Sequence, residues 1–118
     1  MAYGLYLDLD VPRWFRNDYS TENKITGTIY TDVNKTVVKD LTGYTVTVKL
    51  FKPRTIGDRF NKTATIVTAA DGTWSYAVGS GEMPIYGLYF MIIELSKSGV
   101  KESTINDVEF QILEGPNA

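Results

Sequence analysis

Carboxylates, lysines, arginines and tyrosines carry whatever chemistry this sequence can do, because its 118 residues include no histidine and no cysteine. That excludes a Ser-His-Asp or Cys-His centre, a Cys/His zinc site, an iron–sulfur cluster and a disulfide framework. Asp8 and Asp10 stand two apart, so on a strand they point to one side, as two oxygen ligands of a calcium ion would. No loop has the dense Asp/Asn spacing of a dedicated calcium site. Lys52, Arg54, Arg59 and Lys62 face a single nearby acid, Asp58, and form the basic cluster of the chain. Such a loop suits an anion: phosphate, an acidic protein surface or lipopolysaccharide. Tyr30 and Tyr86 could stack on sugar rings. The 14 acids fall mostly in turns and at polar strand positions, with no convergent pair for general acid–base work. Neither an enzyme activity nor a cofactor is expected.

The balance of 12 basic against 14 acidic residues gives a charge of −2 and no basic face for nucleic acid. Phe51 and Phe60 are the only aromatics beside the basic cluster, too few for a single-strand stacking platform. No apolar run approaches the ~18 residues of a membrane span. Met1-Ala2-Tyr3-Gly4 opens no basic and apolar leader, so the chain is expected to be complete, made in the cytoplasm and not exported. The sequons Asn34-Lys35-Thr36 and Asn61-Lys62-Thr63 are then chance matches.

The elements that must position these residues are strands. Leu5, Leu7, Leu9 and Val11 alternate with polar residues up to Pro12, whereas residues 13–23 have no clean period. Ile25, Gly27 and Ile29 alternate next, and Asp32 to Lys35 forms a turn before a short strand, 36–39. Tyr44, Val46, Val48 and Leu50 make the clearest strand. Ala64 and Ile66 share a face of the next one, and Asp71-Gly72 signals a hairpin into a strand carrying Trp74 and Tyr76. Residues 87–95 are a strand, and 100–113 a long strand or a broken pair. About seven to eight strands with turn signals every ~8–12 residues predict an all-β sandwich.

The order of local motifs is more specific. Asp40-Leu41-Thr42-Gly43-Tyr44-Thr45-Val46 is followed by Leu50-Phe51-Lys52-Pro53, then Ala69-Ala70-Asp71-Gly72-Thr73-Trp74-Ser75-Tyr76, Gly87-Leu88-Tyr89 and Glu102-Ser103-Thr104-Ile105-Asn106. From residue 25 to 112 the chain resembles the immunoglobulin-like domain of phage baseplate upper proteins and related virion proteins. The resemblance implies an immunoglobulin-like sandwich over 19–114, preceded by an N-terminal strand and docking segment, 1–18, and followed by a tail, 115–118. Leu41 would plug one end of the sandwich, Gly43 open its turn, and Asp71-Gly72 supply the turn before Trp74. Tyr89 resembles a tyrosine-corner residue whose hydroxyl bonds backbone.

Two surfaces are expected to touch a partner. If Tyr89, Met91, Ile93 and Leu95 face the core, then Leu88, Phe90 and Ile92 face outward as an apolar stripe. Tyr6, Trp14, Phe15 and Arg16 have the composition of an interface hot spot. The function implied is a virion structural protein, present in many copies or as a homo-oligomer. It would dock on coat, tail or sister subunits, as a head-decoration or a tail/baseplate component, with a host-surface glycan as a further possible partner. The alternatives are a carbohydrate-binding module and a calcium-dependent adhesion domain.

Overall fold

Alternation in the sequence becomes alternation of burial along the two longest strands, β4 (Thr45–Phe51) and β8 (Gly87–Lys97). Val46, Val48, Leu50, Met91, Ile93 and Leu95 are all buried, and the residues between them point away from the core. The computed structural model describes residues 4–52, 60–106 and 108–115. Its other strands are β1 (Tyr6–Leu9), β2 (Arg13–Phe15), β3 (Ile25–Tyr30), β5 (Phe60–Thr63), β6 (Thr65–Thr68), β7 (Thr73–Tyr76), β9 (Val100–Ser103) and β10 (Val108–Leu113). They form a four-stranded sheet, β1-β3-β7-β6, and a six-stranded sheet, β2-β10-β8-β4-β5, with β9 also paired to β8. Among the described residues every strand pairing is antiparallel except β2 with β10.

The all-β, two-sheet expectation holds, with ten strands among the described residues because three stretches are divided. Between β1 and β2 the chain crosses from one sheet to the other at Asp10-Val11-Pro12, where proline brings no N–H to a ladder. Between β5 and β6 it crosses back at Ala64, whose N–H bonds Val46 O at 2.8 Å. Residues 100–113 are the broken pair. Thr104 fills the gap by donating its N–H to Ile93 O at 3.0 Å and accepting Ile93 N–H on its hydroxyl at 3.1 Å. The expected strand at 36–39 reduces to one bridge, Tyr30 to Val38. Asp32 takes the N–H groups of Thr36 and Val37 at 2.9 and 2.8 Å, a local bond that competes with a ladder.

Leu7, Ile29 and Trp74 of the four-stranded sheet meet Val48, Ile93 and Phe110 of the six-stranded sheet in one core. Leu41 is fully buried in it, with its N–H on Ala69 O at 2.9 Å. Gly43 has φ +81 in the turn that follows. The Asp71-Gly72 hairpin signal is realised as a 3₁₀ turn, Ala69–Asp71, capped by Gly72 at φ 69. Trp74 packs closely against Gly27, where a Cβ would stand 2.8 Å from its ring and 3.0 Å from Asp8 O. The N-terminal stretch is part of this body: β1 pairs with β3 through four residues, and Leu7 is fully buried.

Candidate protein-docking face

Residues opposite one another in a ladder share a face. Across the six-stranded sheet, Arg13, Gln111 and Leu88 lie in one row, Glu109, Phe90 and Phe51 in the next, and Ile92 beside Lys49 in a third. Phe15 and Leu113 form the row at the other side of Leu88. This outer face therefore gathers Phe15, Leu113, Leu88, Phe90, Phe51 and Ile92. Phe15 and Leu88 are 43% and 46% exposed, whereas Phe90 and Ile92 are half-buried by their neighbours. Phe51 and Phe90 contact with centroids 5.9 Å apart. Charges rim the seam at Arg13 and Glu109. Beyond Ile92, Glu94 is held by Lys49 at 3.1 Å and Lys101 at 3.7 Å.

The outer face of the four-stranded sheet has the opposite character. Its rows are Asp8, Thr28 and Thr73, then Thr26, Ser75 and Thr65, with Tyr6 beside Tyr30 at one end. Small hydroxyl residues predominate on it, beside Asp8, the Tyr6–Tyr30 pair and the single exposed Val67 of β6.

Seven residues expected at a partner interface are thus divided. Phe15, Leu88, Phe90 and Ile92 come together on one face. Arg16 joins them at its end: its N–H bonds Leu113 O at 2.8 Å and its guanidinium lies 5.2 Å from the centre of the half-exposed Tyr86 ring. Its Nε is buried without a hydrogen-bond partner among the described residues. Trp14 pairs with Ile112 and turns inward, where it packs on the core and donates its Nε1–H to Asp18 O at 2.9 Å. Tyr6 lies on the opposite sheet. Phe51, Leu113 and Tyr86 complete the face. Phe51 was detectable as the outward residue after Leu50, whereas Leu113 and Tyr86 join the face through pairings and contacts that no local pattern reveals.

The loop leading to β8 is pinned by Glu82. Its carboxylate accepts the Tyr76 hydroxyl at 2.5 Å and Gly79 N–H at 2.7 Å, with Lys62 Nζ at 3.8 Å. Burial by itself raises the Glu82 carboxyl, but the bonds from Tyr76 and Gly79 and the Lys62 charge outweigh it, so it sits below its ordinary value. Burial, then the bond to Glu82 and its charge, push the Tyr76 hydroxyl well above the usual tyrosine range. Tyr89 is buried near the start of β8 and donates its hydroxyl to Ile85 O at 2.9 Å.

Within the basic cluster, Lys52 lies 5.2 Å from the centre of the Tyr89 ring and Lys62 reaches Glu82. Arg54 and Arg59 lie outside the described residues. Asp8 pairs with Lys35 at 3.4 Å and Asp10 accepts the Thr26 hydroxyl. The described residues hold no group of three or more acids arranged for a metal ion. Among them no helix is long and apolar enough to cross a membrane. Compared with protein-family models, curated proteins and solved structures, the chain matches none.

Proposed function

We propose that this chain is an immunoglobulin-like subunit that works by docking on other proteins through the outer face of its six-stranded sheet. The contrast between the two outer faces carries the reading. One is hydroxyl-rich, and the other presents a seam of aromatic and aliphatic side chains ending in the Arg16–Tyr86 stack. Contiguous apolar surface with aromatics and arginine is the composition of a protein interface. A stable, specific attachment there buries at least about 1,000 Å² in total.

Two features support the immunoglobulin-like form. The strand orders correspond to A-B-E-D and C′-C-F-G, with β1, β3, β7 and β6 in the first and β5, β4, β8 and β10 in the second. Tyr89, at the head of the strand in the F position, bonds backbone four residues upstream, as a tyrosine corner does. With the motif order from residue 40 to 106, these favour an accessory protein of a virus particle, docked on coat, tail or sister subunits.

The test replaces Leu88, which is exposed and so tolerates change without unfolding. Particles stripped of the chain are mixed with purified protein and pelleted. Wild type and Thr65→Asp, on the opposite face, pellet with the particles, while Leu88→Asp stays in the supernatant with an unchanged melting temperature. If Leu88→Asp pellets as well as wild type, this face is not the attachment.

A further inference from the structure

We propose that the open edge of β2 is a slot that takes an extended peptide strand from the docking partner. The idea rests on the docking reading in one respect, that Phe15 belongs to both the face and the slot. β2 ends the six-stranded sheet. On its inner side Pro12 O accepts Gln111 N–H at 3.0 Å and Arg16 N–H donates to Leu113 O at 2.8 Å. Backbone groups alternate in direction along a strand, so those of Arg13 and Phe15 point to the open side. Of these, Phe15 O is used, by Asp18 N–H at 3.2 Å. Arg13 N–H, Arg13 O and Phe15 N–H are left without a partner among the described residues.

Those groups border a groove of about 520 Å³. Trp14 and Tyr19 give it aromatic walls, Tyr19 being 64% exposed, and Asp18, Ser20 and Asn23 line its far side. That far side is fixed to the body. Trp14 Nε1 bonds Asp18 O, Asn17 N–H bonds Met83 O at 3.0 Å, and Ser20 N–H bonds Val78 O at 3.2 Å. A small ligand could use the aromatic walls, but alternating unpaired donors and acceptors along one side match a peptide backbone, the recognition mode of strand addition. The partner is therefore a protein that offers an extended segment with an apolar side chain for the Trp14–Tyr19 wall.

A displayed library of random hexapeptides, selected on the whole chain, tests this. Enriched peptides are made twice, N-methylated at alternate amides in one register or the other. Methylation in one register weakens binding about tenfold or more, and in the other leaves it. Tyr19→Ala weakens every enriched peptide, and Leu88→Asp leaves them bound, which separates the slot from the docking face. In amide exchange, Arg13 and Phe15 N–H exchange fast in the free chain and slowly with peptide bound. No enrichment, equal tolerance of both methylation registers, or fast exchange at Arg13 and Phe15 in the complex would each overturn the proposal.

Discussion

Replacing Glu82 by glutamine removes one charge from a site that otherwise keeps its shape. Glutamine retains an oxygen for the Tyr76 hydroxyl and the Gly79 N–H, so both bonds persist as neutral ones. A hydrogen bond to a charged group contributes roughly 1.5–3 kcal/mol against about 1 for a neutral one. Two bonds weakened in this way remove about 1–4 kcal/mol at neutral pH. The Lys62 pair adds little, since that lysine side chain is half exposed at 50%. The carboxyl of Glu82 is lowered in the fold, so its stabilisation is complete above the unfolded value of about 4.3 and is lost as pH falls through the folded value.

Urea unfolding of wild type and Glu82→Gln across the acid range measures this directly, because the difference between the two cancels every other titrating group. The gap is widest at neutral pH and closes as the pH falls below the unfolded carboxyl value of about 4.3 and through the lower folded one. Tyr76 supplies a second readout. It loses the charge beside it in the variant, so its ionisation, followed by the NMR signal of its own ring, moves to lower pH. A stability gap that is the same at neutral and acid pH refutes the charge argument, as does a Tyr76 titration that does not move. The consequence for docking is local. Glu82 holds the loop that delivers Ile85 to Tyr89 and Tyr86 to Arg16, so acid loosens the end of the face where that stack sits.

Two further substitutions test the packing that presents the face. Gly27→Ala puts a methyl 2.8 Å from the fully buried Trp74 ring, with the Asp8 carbonyl at 3.0 Å on the other side. Neither neighbour has room to retreat, so it costs about 2–3 kcal/mol in urea unfolding, and Trp74→Phe in the same chain recovers part of that; a neutral Gly27→Ala would contradict the close approach. Tyr89→Phe removes the bond to Ile85 O and lowers stability by about 1 kcal/mol with an unchanged urea slope. No loss there would remove the support that Tyr89 gives to the immunoglobulin-like reading.

Where the sequence alternates strictly, it discloses faces. Val46, Val48 and Leu50 assign Phe51 outward, and Tyr89, Met91, Ile93 and Leu95 assign Leu88, Phe90 and Ile92 outward, as found. Residues 13–23 have no period, so nothing local separates inward Trp14 from outward Phe15; the parallel pairing with β10 does that, and it is set far away in the chain. The same pairing unites Phe15 with Leu88, which the sequence presents as two unrelated patches. Glu82 was hidden for a different reason. Its role depends on Tyr76 and Gly79 being brought round it by a loop, and loop geometry leaves no periodic trace.

The two ends of the N-terminal stretch treat their open edges differently. β1, at the edge of the four-stranded sheet, is closed by one side chain: Asn106 accepts Leu7 N–H and donates to Leu7 O, both at 2.9 Å, and Ile105 N–H bonds Leu5 O at 2.9 Å. An amide side chain placed this way occupies the positions a neighbouring strand would take, a means of blocking edge-to-edge association. β6, at the other edge of that sheet, is interrupted by a register shift between Ile66 and Thr68. On β2 the backbone of Arg13 meets no such side chain among the described residues. Strand addition at β2 would therefore fall beside Phe15 and the apolar seam, while the hydroxyl-rich sheet has its β1 edge closed and its β6 edge irregular. An apolar face and an open edge that meet at one residue make a single surface, so a partner engaging both gains the second contact without a second association step.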